Sequence, residues 1–590
     1  MRAWTVCCFS ILVGCFILLR LSLYAQSSKV LTRGQYPKGN FITPLEPPLA
    51  LSGSFGSVRR RHFHAGTDLR TNSQEGAVVR AVADGHIMRI NVSTSGYGNC
   101  IYVAHKNGIV SVYGHLQAFM PAVEAYVRKA QYAQERAELE LYPTSKQFPV
   151  KQGNLLGWSG NTGSSEGAHL HFELRMQSGT LPYNSYLSGI RYEDKIPPTF
   201  RELYVYDIDP ENYPASLARA RRYKIKAGSK AGEYFVRDTI AVSQLTGLGV
   251  DVNDFVNRKS FRCTVTELEC EVDSKSCYRW DLNAIGFQET SYADGHIDYA
   301  LRERTDKRVH LLFTLPGNKL SRYTTKHQGL LTFEKSSTHK VCIRAVDAAG
   351  NSSRLYCILQ ATKPKKEYPR KGEKIAWKTG ATIKRKEYRL SIAKEALFFD
   401  LNYQDSVYPA LDSTTVSPTY ILHKEEVALR KNAVLTIPFA MLRQGVARNK
   451  LWLGRWNKKK GRFSFYGVPK ITSQGVECKI RNFGKYALCV DTVPPKLLPP
   501  QWDTICNGAP LPKVFCFEWS VHDSATRIEK IAGTIDDRWA LWEHEPKDGR
   551  IWHLLDTNRL NATHKEHVLR LYIEDAVGNR RDITCRFSLE

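Results

Sequence analysis

A chain of 590 residues is too long for one hydrophobic core, and with 42% apolar residues it is not of disordered composition. Roughly three to five domains are expected. A net charge of +26, from 84 Lys and Arg against 58 Asp and Glu, calls for an anionic partner or surface.

The N-terminus says where that partner is to be sought. Arg2 precedes an apolar run from Trp4 to Leu19, and Leu23-Tyr24-Ala25 offers a small residue for cleavage before Gln26. The run falls short of the roughly 20 residues that a bilayer span needs. A signal peptide over residues 1–25 and export to the periplasm or cell envelope are therefore expected. Two alternatives are a lipoprotein cysteine at Cys15, after Leu12-Val13-Gly14, and an uncleaved anchor with Arg20 at the membrane edge. An exported protein seldom meets nucleic acid, so an anionic cell-envelope surface is the expected partner of the basic chain.

Residues 26–50 read as a polar, proline-bearing lead-in. From Leu51 short alternating strands are broken by Gly and Asn, as in Val78–Ala83, His86–Ile90, Ile101–His105 and Ile109–Tyr113, which is the pattern of antiparallel sheet. His64-Ala-Gly-Thr-Asp68 sets an imidazole and a carboxylate four residues apart, in a loop entering a strand. Val112-Tyr-Gly-His115-Leu116 ends another strand with an imidazole. Residues 117–148 change texture: Met120, Val123, Tyr126, Val127, Ala130 and Ala133 recur at helical spacing, with Glu124 four residues before Arg128. A helix or helical pair is expected there, leaving the sheet directly after His115. In Gly167-Ala-His169-Leu-His171-Phe-Glu173 the period of two puts both histidines on one face, with Leu170 and Phe172 on the other. Two histidines and one aspartate make three ligands for a divalent metal, leaving one position for water, which is the pattern of catalytic zinc.

The set Phe63–Asp68, Tyr113–Leu116 and Gly167–Glu173, in this order and with the Gly-rich run Leu156–Gly163 before the last, closely resembles the lysostaphin/LytM-type zinc metallopeptidases, peptidase family M23. The resemblance implies His64, Asp68 and His171 as zinc ligands, one Zn2+ per chain, and His115 and His169 as catalytic imidazoles beside the metal. It further implies an exported zinc metalloendopeptidase cleaving peptidoglycan stem peptides or their cross-links. The alternatives are a non-catalytic activator of cell-wall amidases and a wall-binding scaffold. In that register His62 stands outside the ligand set, His105 reads as a turn residue, His86 has no partner, and Tyr97-Gly98-Asn99 reads as a turn beside the groove.

The peptidase domain is expected over 51–193. Asp194-Lys-Ile-Pro-Pro198 and Asp491-Thr-Val-Pro-Pro495 mark linkers, and Asp347-Ala-Ala-Gly-Asn351 and Asp575-Ala-Val-Gly-Asn579 echo each other between alternating strands. Two related β-sandwich modules, 197–362 and 492–590, follow, and their hairpin resembles the closing hairpin of bacterial immunoglobulin-like domains. A third strand-rich unit spans 376–490. The fold class expected is mainly β: an antiparallel catalytic domain with a helical insertion, then three β-sandwich-like modules, the latter offering a surface for a protein partner. Ten of the 14 cysteines lie beyond residue 260 and contain no CxxC pair, so disulfides are expected, including a bridge between Cys478 and Cys489. Cys100 reads as a buried small hydrophobe. Residues 30–190 are expected to fold alone.

Overall fold

The computed structural model describes residues 31, 33–256, 261–498 and 507–590. The N-terminal apolar run, Cys15 and Ala25 lie outside them. Among the described residues no helix is long and apolar enough to cross a membrane.

The chain is mainly β, in sheets that, among the described residues, are antiparallel apart from three parallel strand pairs in the later modules. In the first domain the main sheet runs Leu51–Gly53, Thr67–Arg70, His169–Met176, Val110–Gly114, Cys100–His105, Gly85–Val92 and Leu139–Leu141. The strand His169–Met176 is central, and its alternation decides the two faces. Leu170, Phe172 and Leu174 are fully buried in the core with Leu69, Ile101 and Tyr113, while His169, His171, Glu173 and Arg175 take the opposite face. A small second sheet joins Val78–Arg80, Leu155–Ser159 and Leu116–Phe119.

The insertion is helical as expected, but over only part of residues 117–148. It holds one α-helix, Pro121–Gln134, capped at Glu135 in the left-handed region. Leu116–Phe119 before it pairs with Leu155–Ser159, and Leu139–Leu141 after it extends the main sheet. Strand pairing thus takes both ends of the segment. The helix lays Val123 and Val127 on the domain's own core, with Met120 and Tyr126 beside them, so its apolar stripe is already covered.

Two sheets of the next module enclose a core of Leu203, Val205, Val250, Leu268, Ile343 and Leu355. That core also contains Phe55, Val58 and Phe63 of the first domain. The Phe63 amide donates to Thr290 Oγ1 at 2.8 Å, the Thr264 amide to Ser54 Oγ at 3.0 Å, and the Asn184 amide to the Asn283 carbonyl at 2.9 Å. The loop that carries His64 is therefore built into its neighbour, which argues against the expectation that residues 30–190 fold alone. Strand Thr199–Asp207 serves two cores by the same period of two: Leu203 and Val205 face this module, whereas Tyr204 and Tyr206 join the core of the following unit. That unit is a pair of five-stranded sheets, and the last module pairs a four-stranded with a five-stranded sheet.

The disulfide expectation needs correction. Cys263, Cys270, Cys277, Cys342, Cys357, Cys478, Cys489 and Cys516 are free, and Cys585 is disulfide-bonded. Cys478 and Cys489 do not bridge because their strands, Gly475–Asn482 and Gly484–Val490, enter different sheets. One thiol faces the large central core and the other a separate cluster with Trp452 and Phe463. Cys100 is free and fully buried.

Candidate metal centre and active site

Register brings the three predicted ligands together. His171 stands opposite Asp68 on one neighbouring strand and opposite Gly114 on the other. His64 enters from the loop before Thr67–Arg70, where Gly66 is required: a Cβ there would lie 2.7 Å from the His171 ring. His64 Nε2 is 3.1 Å from His171 Nδ1 and 3.0 Å from Asp68 Oδ1, and His171 Nδ1 is 2.9 Å from the same oxygen. All three residues are buried. Ligands at about 2.0–2.1 Å from a tetrahedral zinc stand about 3.3–3.4 Å apart, so this triangle closes to within a few tenths of an ångström of the zinc spacing.

The far sides of the rings are tied down, which fixes their tautomers. His64 Nδ1 donates to the Ser54 carbonyl at 2.9 Å, leaving Nε2 as a lone-pair donor. His171 Nε2 donates to Glu173 Oε1 at 2.8 Å. Glu173 is fully buried and accepts two more hydrogen bonds, from Tyr97 Oη at 2.7 Å and Arg175 Nε at 2.6 Å. Burial opposes its charge, but Arg175 and His171 prevail and bring its pKa down to about 2. Burial likewise resists charging His171, yet its hydrogen bonds to Asp68 and Glu173 raise its pKa to about 9. His171 Nδ1 thus faces Asp68 Oδ1 across the position a divalent cation would take. The donor set fits zinc: two imidazole nitrogens, one carboxylate, and an anchored outer carboxylate behind one ring.

The two accessory imidazoles flank the triangle. His169 Nε2 lies 3.4 Å from Asp68 Oδ1, and its Nδ1 donates to the Gly167 carbonyl at 2.7 Å. His115 Nδ1 donates to the Thr162 carbonyl at 2.8 Å, and its ring is 4.9 Å from that of His169 and 5.7 Å from that of His171. Burial, reinforced by the neighbouring imidazoles, lowers the His115 pKa to about 3, so the ring stands neutral. His115 also holds a left-handed backbone, φ 61°, which costs about 1–2 kcal/mol away from glycine and is typical of functional positions. Thr162, which fixes His115, belongs to the Gly-rich run. Gly163 packs on Gly98 so closely that a Cβ would lie 2.4 Å from the Gly98 nitrogen.

The remaining histidines are placed elsewhere. His62 is exposed, with Nδ1 on the Arg60 carbonyl. His105 is buried between the Asp84 carbonyl and Ser111 Oγ, so it is a core residue rather than a turn residue. Residue reasoning missed the roles of Glu173 and Arg175 and placed Tyr97 only in a turn beside the groove. The signal was available: the period of two that pairs His169 with His171 continues to Glu173 and Arg175. Arg59, whose guanidinium reaches Asp68 Oδ2 at 3.5 Å, carried no such signal.

Residues 62–133 match the model of peptidase family M23, and residues 372–491 match that of the Zu5-like domain. Over 114 residues the chain is 33% identical to the DD-carboxypeptidase/endopeptidase Mpg of Neisseria meningitidis, covering 19% of this chain and 20% of that protein. Lysostaphin of Staphylococcus staphylolyticus is 29% identical over 160 residues, 27% of this chain and 26% of its own. The cell division protein DipM of Caulobacter vibrioides is 30% identical over 138 residues, 23% of this chain and 18% of its own. The chain thus spans about a fifth of the length of the first of these curated relatives. Among solved structures, the catalytic domain of lysostaphin from Staphylococcus simulans aligns at 23% identity, over 26% of this chain and 94% of that one, with a TM-score of 0.16.

Proposed function

We propose that this chain, which carries an M23 peptidase domain, is a zinc-dependent metalloendopeptidase that hydrolyses peptide bonds in cell-wall peptidoglycan. The observation that carries this reading is the donor triangle of His64 Nε2, Asp68 Oδ1 and His171 Nδ1, with sides of 2.9 to 3.1 Å, flanked by two further imidazoles. These three residues would hold the zinc, which when bound supplies Lewis acidity toward water and a scissile carbonyl.

The chain's own groups do the rest. Glu173 keeps His171 in one orientation and adds to the basicity of its ligating nitrogen. His169 and His115 each give their Nδ1–H to a main-chain carbonyl, so each keeps an Nε2 lone pair. Either can take a proton from the attacking water and, once protonated, donate to the developing oxyanion before returning the proton to the leaving amine. Arg59 beside Asp68 is a cation placed for the carboxylates of a stem peptide. Export to the cell envelope suits both this substrate and the net charge of +26.

A second reading is a non-catalytic role in wall remodelling, and the similarity to a cell division protein favours keeping it. Digestion of purified peptidoglycan with the full chain separates the two. New amines, with fragments whose masses identify the bond, support the enzyme. Intact wall in the presence of zinc-loaded protein would refute it.

A further inference from the structure

The echo between the two β-sandwich modules extends to six aspartates that the peptidase reading does not use. We propose that Asp194, Asp254 and Asp347, and likewise Asp491, Asp523 and Asp575, are two calcium sites, each tying a module to the segment that leads into it.

Each trio brings one carboxylate oxygen per residue within 4.8 Å of the others. Asp254, Asp347, Asp491 and Asp575 are each at least 95% buried. Both sites are built on one plan. Asp194 Oδ1 accepts from the Ile196 amide at 3.1 Å, as Asp491 Oδ1 does from Val493 at 3.0 Å. Asp347 Oδ1 accepts from the Asn351 amide and Asp575 Oδ1 from the Asn579 amide, at 2.9 and 2.8 Å. The side chain of each asparagine then reaches back to the linker, Asn351 to the Asp194 carbonyl and Asn579 to the Asp491 carbonyl. What remains over is the same oxygen in both: Oδ2 of Asp194 and Oδ2 of Asp491 are buried and have no hydrogen-bond partner. In Asp491 that orphaned oxygen belongs to a side chain in a residue only 4% exposed.

Three carboxylates in one buried cluster repel one another whenever they ionise, and an orphaned carboxylate oxygen forfeits the solvation it would have in water. No Lys or Arg among the described residues forms an ion pair with any of the six. The nearest cations take carbonyls instead: Arg33 the Asp347 and Ala348 oxygens, and Lys450 the Val577 oxygen at 3.2 Å. Burial, with Asp347 and Asp194 alongside, pushes the Asp254 pKa up to about 9, the direction expected of a carboxylate with no cation beside it. Oxygen donors alone, in a carboxylate-rich cluster, suit a hard cation. Calcium, which takes 6–8 oxygens in flexible geometry, fits a dehydrated site better than magnesium, which gives up its water reluctantly. The first site lies where Val256, Cys263 and Ala348 join the peptidase core, so its cation would fix the peptidase domain on the first module.

Equilibrium dialysis of the full zinc-loaded chain against radioactive calcium tests the proposal, with zinc content and thermal melting followed in parallel. Two calcium ions per chain are expected, with a higher melting temperature in calcium. Asp347→Asn and Asp575→Asn should each lose one calcium while zinc stays unchanged. Asp523→Asn, at a half-buried position, covers the case in which Asp575→Asn does not fold, and should also lose one. No calcium bound at millimolar concentration, or a stoichiometry unchanged in these variants, would overturn the proposal. So would a chain stabilised by acid and indifferent to calcium, because protons would then neutralise the clusters.

Discussion

Replacing Glu173 with Gln keeps the shape of the side chain and removes its charge, at a position with no exposed surface. Two consequences can be separated. Outer carboxylates behind a ligating histidine are worth about 10–100-fold in metal affinity, or about 1.4–2.7 kcal/mol. Glu173 makes that contact to His171 at 2.8 Å, so the Gln variant should lose zinc affinity by this factor. The same change strands Arg175, which is 6% exposed and loses its 2.6 Å carboxylate partner. Breaking a buried pair from one side costs about 3–5 kcal/mol, so the variant should also melt early. Adding Arg175→Met removes the stranded charge and should recover much of the stability while leaving zinc affinity low. Competition against a chromophoric chelator reads the affinity, and urea unfolding of the apo chain reads the stability. Wild-type zinc affinity in Glu173→Gln would refute the claim that this carboxylate orients the ligand.

His64→Ala, Asp68→Ala and His171→Ala should each abolish cleavage and strip the zinc, whereas His115→Ala and His169→Ala should lose turnover with zinc largely kept; metal analysis of the five variants checks the division. A fragment of residues 26–195 would expose Phe55, Val58 and Phe63, each 3% exposed or less in the full chain. At about 1.5–3 kcal/mol apiece this rivals the 5–15 kcal/mol that holds a typical domain, so the fragment should be insoluble or largely unfolded by circular dichroism. His296 and His310 form a buried pair at 2.8 Å; burial lowers the pKa of the first well below its ordinary value and that of the second to about 3. Both stay neutral in the fold while the unfolded chain takes up protons below about pH 6.5, so this contribution is complete above that pH and declines below it, by up to about 1.4 kcal/mol per pH unit for each histidine. Urea stability that falls equally from pH 7 to about 5 in the wild type and in a His296→Gln variant would contradict the assignment.

The centre was legible because its ligands obey local rules. A period of two put His169 and His171 on one face of a strand, and Gly66 marked the loop that admits the ring. Glu173 obeyed the same period and was legible in principle. What the residues did not disclose is which core a side chain enters. Phe55, Val58 and Phe63 read as ordinary apolar residues of the first domain, yet they pack into the second. Leu116–Phe119 and Leu139–Leu141 are too short for periodicity to separate strand from helix, so the insertion read as more helical than it is. Spacing alone likewise could not show that the strands of Cys478 and Cys489 diverge into two sheets. The DxxPP and DxxGN echoes were visible, but Asp254, on the strand Leu245–Val256, and Asp523, just past the strand Cys516–His522, complete the clusters from positions that no local pattern links to them.

Zinc-dependent turnover by the purified full chain tests the central claim most directly. Peptidoglycan fragments incubated with the zinc-loaded protein should release new amines, stop doing so on chelation, and resume when zinc is restored. One bound zinc per chain with no cleavage of any wall peptide, by a protein folded as judged by its melting curve, would contradict it.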